Sequence, residues 1–218
     1  YTNFSSGITT SQILTYMNAT QPDMLMFDCY HVYFDHDGSY VWSDRKIWYR
    51  FMGDYRDLGL MGSTVNGVNS GPLPYAQFLN LYHTSYSDPL PDESFIRLQQ
   101  NASWAFGFTY VTGYSYNYAW YPSVLFSNNE DTNPTVVFDY VAEANRQSRN
   151  LGPALVRLVS TNVYMIGGTE HDSRPSNIPL YTPGAGSPYI TNIRPYMPSG
   201  APDPDYSDIL IGFFEPLL

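Results

Sequence analysis

Residues 24–30 read MLMFDCY, a nearly continuous apolar run that contains a single acid, Asp28. Strands that are buried on both faces of a parallel sheet have this composition. A helical pattern precedes the run at residues 11–19, and another follows at residues 44–58, where apolar side chains recur at helical spacing and Gly59 marks the end. The stretch therefore predicts a buried parallel strand between two helices.

The same alternation continues along the chain. Residues 60–68 predict a second short strand followed by a long loop, and residues 92–105 predict a helix. Residues 108–112 predict a third strand, residues 134–159 a long helix, and residues 209–214 a terminal apolar strand with no visible partner. This order is typical of a parallel α/β sheet or barrel. Because three strands are too few to close a barrel, we expect a piece of a larger protein or a chain that pairs with another.

Aromatic side chains dominate residues 106–121, which read FGFTYVTGYSYNYAWY. So many rings just past a predicted strand are hard to bury in one core, because a buried tyrosine hydroxyl needs a hydrogen-bonding partner. Flat, hydroxyl-tipped rings suit stacking on sugar faces. The alternative is an aromatic core strand followed by a tyrosine-rich loop, and the stretch alone leaves both interpretations open.

The composition is that of a globular protein with little charge: 218 residues, 43% hydrophobic and 14% charged. The net charge of −10 disfavours nucleic acid and anionic membranes as partners. No apolar run approaches the roughly 20 residues that span a bilayer. The single cysteine, Cys29, excludes an internal disulfide, and its apolar surroundings predict a buried thiol.

Three N-glycosylation sequons occur, at Asn3, Asn18 and Asn101. Together with the acidic, tyrosine-rich and lysine-poor composition, they favour a secreted, extracellular glycoprotein. The first residue is Tyr1 rather than methionine, and we interpret it as a processed or truncated end.

Four segments carry a family resemblance: PDMLMFDCY at residues 22–30, the helix-to-strand step at residues 55–66, RLQQNASWAFGFTYVTGY at residues 97–114, and DILIGFF at residues 208–214. In their order and spacing they resemble the second half of a glycoside hydrolase (β/α)8 barrel, of the clan with β-galactosidase-like members. The resemblance implies an α/β fold that contains about the last three strands of a TIM barrel. The first five strands would then lie upstream of Tyr1.

The resemblance also implies a division of the chain into three parts. Residues 1–165 would form the partial (β/α) barrel, residues 166–207 a Pro/Gly-rich connection, and residues 208–218 the first strand of a β-sandwich-like domain.

The resemblance places the active site at the carboxyl ends of the strands and implies a glutamate nucleophile after strand seven. The matching residues 63–69 contain no carboxylate, which departs from the family pattern. Asp28 is the candidate catalytic acid, and the alternative is that it hydrogen-bonds a neighbouring loop or an upstream arginine. The candidate substrate-binding residues follow the predicted strand ends: Tyr30, His31, Asn66, Asn69, Tyr114, Tyr116 and Trp120.

Two functions remain open. The first is a secreted glycoside hydrolase that acts on a glycan or polysaccharide through an aromatic-lined cleft, with the remainder of the barrel, in the same or another chain, supplying at least one catalytic acid. The second is a non-catalytic carbohydrate-binding or structural glycoprotein on a degenerate barrel. His31 and His36 lie close in sequence to Asp35 and Asp37, but the spacing of the four residues matches no defined metal-ligand pattern. We therefore expect neither a metal nor a cofactor.

Overall fold

The computed structural model describes residues 8–30, 33–34, 40–41, 45–83, 89–117, 122–128, 130–166, 174–193 and 209–217. Within these ranges the chain forms four helices and nine strands. In chain order they are α1 (Thr10–Thr20), β1 (Leu25–Asp28), β2 (Tyr33–Phe34), β3 (Tyr40–Val41), α2 (Arg45–Met61), β4 (Thr64–Val65), β5 (Val68–Asn69), β6 (Tyr75–Asn80), α3 (Glu93–Phe106), β7 (Tyr110–Tyr114), α4 (Val136–Leu155), β8 (Leu158–Ile166) and β9 (Ile209–Pro216).

Three of the strands form a parallel sheet with β6 between β1 and β7. Leu25 of β1 lies opposite Tyr75 of β6, and Ala76 of β6 lies opposite Tyr110 of β7. Helix α2 lies between β1 and β6 in the chain, and α3 lies between β6 and β7. The mixed α/β fold with a parallel sheet, predicted from the alternating pattern, is therefore confirmed. Two short antiparallel pairs, β2–β3 and β4–β5, branch from this framework.

The predicted position of the second parallel strand, residues 60–68, is wrong. Helix α2 continues through Gly59 and ends at Met61, and Gly62 then adopts a φ of 72° in the left-handed region. The residues that follow form the β4–β5 hairpin, and the parallel strand is β6, in a segment that the sequence pattern assigned to a loop. The second parallel strand therefore lies at Tyr75–Asn80 instead of residues 60–68.

Strand β6 is buried even though it contains two amides. Trp48 of α2 donates its indole N–H to Gln77 Oε1 at 2.9 Å, and Gln77 Nε2 donates to Ser103 Oγ of α3 at 2.6 Å. Buried polar groups are tolerated when they are hydrogen-bonded. Gln77 is therefore paired by the two helices that pack on β6, whereas Asn80 Oδ1 accepts the Tyr82 backbone N–H at 3.4 Å.

The two faces of the parallel sheet differ. Phe27 of β1 packs against Tyr55 of α2, with ring centroids 4.5 Å apart, in the main hydrophobic core between the sheet and the helices. Alternate residues of a strand point to opposite faces. Asp28, Phe78 and Thr112, which are in register across the three strands, therefore share the face turned away from the helices.

Local caps explain where the helices begin and end. Asp92 Oδ1 accepts the Phe95 backbone N–H at 2.8 Å at the start of α3, and Gly107, with a φ of 83°, closes its end. Thr9 caps α1 in a reciprocal capping box with Gln12. None of the helices in the described ranges combines the length and hydropathy of a membrane-spanning segment.

The terminal strand β9 pairs antiparallel with β8, so the expectation that it has no partner was wrong. Residue 165, where the predicted partial barrel ends, lies inside β8. The β8–β9 pair packs on α3 so closely that a Cβ at Gly212 would overlap the carbonyl oxygen of Ala105. Helix α4 ends at Leu155, earlier than predicted, because the chain enters β8 three residues later.

Candidate functional site

A cluster of three tyrosines lies at the carboxyl ends of the parallel strands. Tyr30 follows β1, Tyr82 follows β6, and Tyr114 ends β7. The ring centroids are 5.1 Å apart for Tyr30 and Tyr82, and 5.7 Å apart for Tyr30 and Tyr114 and for Tyr82 and Tyr114. We call these three residues the tyrosine cluster. The structure thus brings together Tyr30 and Tyr114, two predicted binding residues, and adds Tyr82.

The backbone on both sides of Tyr82 is held in place. The chain that follows β7 folds back beside it, so that His83 N–H donates to Pro122 C=O and Val124 N–H donates to Leu81 C=O, each at 3.0 Å. Tyr82 itself forms an antiparallel bridge with Ser123. The ring therefore projects from a paired strand extension, which fixes its direction better than a free loop would.

A buried glutamine supports the same strand end from the helix side. Gln99 of α3 is 2% exposed. Its Oε1 accepts the Asn80 backbone N–H at 2.7 Å, and its Nε2 donates to the Asn80 carbonyl at 3.3 Å. One side chain thereby satisfies both backbone groups at the end of β6. Gln99 positions the residues from which Tyr82 extends.

Asp28 lies next to the tyrosine cluster in the chain. It is the half-buried last residue of β1, two residues before Tyr30. Within the described ranges, Asp28 is the only carboxylate in the three parallel strands and in residues 81–83, 115–117 and 122–128 that follow them. Strand β6, the actual second parallel strand, therefore contains no carboxylate, and neither do residues 60–68, where that strand was predicted.

Asn66 and Asn69 are placed elsewhere. They belong to the β4–β5 hairpin, which enters β6 from its amino end, and β6 itself runs roughly 17 Å from there to its carboxyl end. Asn69 Nδ2 donates to Met61 C=O at 3.0 Å, and its Oδ1 accepts the Gly71 N–H at 2.7 Å. The structure gives Asn69 a role in the hairpin and does not bring either asparagine to the tyrosine cluster.

The other predicted binding residues are dispersed. Tyr116 is 63% exposed, and its ring packs edge-to-face on Phe126 at 5.5 Å. His31 and Trp120 lie outside the described residues. In the described part of the chain, no group of three or more His, Cys, Asp or Glu side chains could hold a metal ion.

The sequons occupy different environments. Asn101 is exposed on α3, whereas Asn18 of α1 accepts the Thr64 N–H at 2.8 Å through its Oδ1. Asn3 lies outside the described residues.

Sequence reasoning missed Tyr82 and Gln99 because it did not recognise β6. A signal was present: residues 75–82 read YAQFLNLY, a run of apolar and aromatic side chains preceded by Pro74. The glycines, prolines and asparagines around it nevertheless predicted a long loop.

No protein-family model, curated protein or solved structure matches this chain. Its fold and site define it as a mixed α/β protein with a tyrosine cluster at the carboxyl edge of a parallel sheet.

Proposed function

We propose that this protein binds carbohydrate at the tyrosine cluster and is part of a secreted glycoside hydrolase that acts on a glycan or polysaccharide. The observation that carries the proposal is the convergence of Tyr30, Tyr82 and Tyr114 from three adjacent parallel strands. Ligands of open α/β sheets and of barrels bind at this edge. Tyrosines offer flat apolar faces for sugar rings and hydroxyl tips for their hydroxyl groups.

We further propose that the parallel sheet is about the last three strands of a (β/α)8 barrel, followed by the start of a β-rich domain that begins with β9. The two-faced sheet supports this. Its helix-covered face packs the core, whereas Asp28, Phe78 and Thr112 share the opposite face, as side chains of a barrel interior do. The remainder of the barrel, in the same or another chain, completes that interior.

Asp28 is the acid that we assign to catalysis. It is the last residue of β1, at the carboxyl end of the strand, two residues before Tyr30 of the tyrosine cluster that would hold the sugar. Hydrolysis of a glycoside uses two carboxyl groups, and within the described strand ends Asp28 is the only one. The second carboxyl group therefore comes from the remainder of the barrel.

A second function is favoured by one specific observation. Neither β6 nor residues 81–83 contain a carboxylate. If the remainder of the barrel lacks a second acid as well, the tyrosine cluster serves a non-catalytic carbohydrate-binding or structural glycoprotein. Both functions share the same sugar-binding surface. Both also include extracellular localisation and glycosylation, for which exposed Asn101 is the better placed of the two sequons that the structure describes.

Calorimetric titration with a panel of soluble oligosaccharides and polysaccharides tests the binding proposal. The Tyr82→Ala variant should bind at least about tenfold more weakly, because the loss of one buried aromatic contact costs upward of about 1.4 kcal/mol. Tyr189→Ala is the matched control, since Tyr189 is 92% exposed and distant in the chain from the cluster. Equal affinities of the two variants would refute the assignment of the site.

Catalysis is tested separately with a panel of aryl glycosides. The complete protein should release the aryl group, and Asp28→Asn should abolish the release while leaving oligosaccharide affinity within about twofold. Unchanged turnover in Asp28→Asn would remove Asp28 from the mechanism. Binding without any turnover would favour the non-catalytic function.

A further inference from the structure

The tip of the β4–β5 hairpin is the one place in the chain where an asparagine directly precedes a glycine, at Asn66 and Gly67. Val65 lies opposite Val68, so these two residues form a two-residue turn. Both have a positive φ, 51° for Asn66 and 79° for Gly67, as a type I′ turn requires. The sequence pattern predicted that Asn66 binds substrate, and the structure places it in this turn instead.

An asparagine followed by glycine has a reaction of its own. The backbone nitrogen of the glycine attacks Cγ of the asparagine, which forms a succinimide ring and releases ammonia. Water then opens the ring at either carbonyl. One opening leaves aspartate, and the other leaves isoaspartate, in which the main chain passes through the former side chain. Glycine favours the first step because it has no Cβ beside the attacking nitrogen.

The atoms that would react at this turn are accessible. Asn66 and Gly67 are both exposed, and a Cβ added to Gly67 would meet no atom within 4 Å. In the part of the chain that the structure describes, neither the Asn66 side chain nor the Gly67 N–H has a hydrogen-bond partner. The attacking nitrogen is therefore not held by an acceptor within these ranges.

Asn69, in the same hairpin, provides the contrast. Its Oδ1 accepts the Gly71 N–H at 2.7 Å, and its Nδ2 donates to Met61 C=O at 3.0 Å, so its side chain is held at both atoms. The backbone nitrogen that follows it, that of Ser70, donates to Ser63 C=O at 2.8 Å. Ring closure at Asn69 therefore requires the loss of hydrogen bonds that Asn66 does not make.

The hairpin is short enough to open without unfolding the rest of the protein. It pairs only two residues in each strand, and two-stranded hairpins are marginally stable in isolation. It shares no ladder with the parallel sheet of β1, β6 and β7. Local opening therefore lets the Asn66 side chain turn toward the Gly67 nitrogen while the sheet stays folded.

We propose that Asn66 is a site of spontaneous deamidation, the fastest in this protein, in which the Gly67 nitrogen displaces ammonia and water completes the conversion to aspartate and isoaspartate. The product adds a negative charge to the turn, and isoaspartate also adds a methylene group to the main chain. Because turn type and loop length fix the register of a hairpin, the longer turn shifts the pairing of β4 with β5.

The change in the turn reaches α1 through Thr64. The Thr64 N–H donates to Asn18 Oδ1, near the end of α1, at 2.8 Å. A shift of β4 weakens this bond and should speed the hydrogen exchange of the Thr64 amide. The hairpin enters β6 from its amino end, whereas the tyrosine cluster lies at the carboxyl end, so the inference goes beyond the proposed function and does not depend on carbohydrate.

Mass spectrometry of protein aged in mildly alkaline buffer tests the inference. Trypsin releases residues 57–97 as one peptide, and fragmentation of this peptide compares Asn66, Asn69 and Asn80 under identical conditions. The change in mass that accompanies replacement of NH₂ by OH should appear at Asn66 at least about tenfold faster than at Asn69, a difference of about 1.4 kcal/mol in activation free energy.

A pair of variants provides a second arm. In Asn66→Gln the longer side chain must close a larger ring, which is slower, so the mass of the peptide 57–97 should stay constant over the same period. In Asn69→Gln, the matched control, the same peptide should still gain mass at residue 66. The comparison of Asn66 with Asn69 in the unaltered protein stands even if a variant does not fold.

Three results would overturn the inference: a mass gain at Asn66 no faster than at Asn69, a gain in the peptide that persists in Asn66→Gln, or a gain that appears only after the protein is unfolded in urea. Unchanged hydrogen exchange of Thr64 after isoaspartate has formed would overturn the coupling to α1. Oligosaccharide binding at the tyrosine cluster, measured separately, is unaffected by any of these outcomes.

Discussion

Replacement of Gly212 with alanine tests whether the terminal strand is an integral part of this fold. Gly212 lies in β9, and its added Cβ would overlap the carbonyl oxygen of Ala105, near the end of α3. The added Cβ would lie 2.0 Å from that oxygen, and because the obstacle is backbone rather than a flexible side chain, β9 must move away from α3 by roughly 1.5 Å to restore ordinary van der Waals contact. Leu210, which packs against the main core from the same strand, loses contacts in that movement.

Overpacking of this kind costs about 2–3 kcal/mol of the free energy of unfolding, which corresponds to a fall of about 4–12 °C in Tm for a domain of this size. The matched control is Gly152→Ala, the same chemical change at a helical position where the added Cβ meets no atom within 4 Å. Because Gly152 precedes Pro153 within α4, contact of the new Cβ with the proline ring offsets the gain in helix propensity, and the free energy of unfolding should change by less than about 1 kcal/mol.

Thermal and urea unfolding followed by circular dichroism measure both changes. The account requires a loss of about 2–3 kcal/mol in Gly212→Ala and a much smaller change in Gly152→Ala. If Gly212→Ala is as stable as Gly152→Ala, β9 does not pack on α3, and the terminal strand belongs to a separate unit.

Three further predictions concern Tyr75, Gln99 and Asn69. Burial raises the pKa of Tyr75, whose hydroxyl donates to the Phe106 carbonyl at 2.9 Å, to about 12. Because unfolded tyrosine titrates near pH 10, this stabilising effect is fully present below pH 10 and is lost as the pH rises toward 12. Urea midpoints should therefore fall more steeply between pH 10 and 12 in the unaltered protein than in Tyr75→Phe. Parallel curves for the two proteins would contradict the assignment. Gln99→Met removes the two hydrogen bonds from Gln99 to the Asn80 backbone and should lower the free energy of unfolding by about 1–3 kcal/mol, with a changed near-ultraviolet tyrosine signal. An unaltered signal would show that Gln99 does not position the cluster. Asn69→Ala should lower the free energy of unfolding by about 1 kcal/mol, because two hairpin hydrogen bonds are lost, yet leave oligosaccharide affinity unchanged. A loss of affinity would show that Asn69 contributes to the binding site.

Local patterns predicted the elements whose stabilising contacts are close in sequence. The run at residues 24–30 predicted β1, because a strand buried on both faces is apolar throughout. The pattern at residues 92–105 predicted α3, and the observed N-cap, Asp92, is adjacent to the helix in sequence. The aromatic run at residues 106–121 located β7 to within two residues and brought Tyr114 to the strand end.

The elements that were missed depend on partners distant in the chain. Strand β6 contains Gln77, which is buried only because Trp48 and Ser103 reach it from two helices. No pattern within residues 75–80 contains that information. Strand β9 likewise finds its partner in β8, with Ile166 opposite Ile209, across more than forty intervening residues.

The candidate site likewise contains two tyrosines that the sequence pattern could predict and one that it could not. Tyr30 and Tyr114 follow strands that were predicted, so their convergence could be anticipated from parallel strand order. Tyr82 follows the strand that was misplaced, and it completes the tyrosine cluster through a fold-back of residues 122–124 that only the three-dimensional structure contains.

The most direct test of the central claim is NMR titration of protein carrying ¹³C-labelled tyrosine rings with the soluble oligosaccharides. The ring signals are assigned by single Tyr→Phe variants. The account predicts that the signals of Tyr30, Tyr82 and Tyr114 shift together with one common affinity and show contacts to sugar ring protons, while Tyr189 stays unchanged. An oligosaccharide that binds the protein without shifting these three signals, or a panel in which none shifts them, would contradict it.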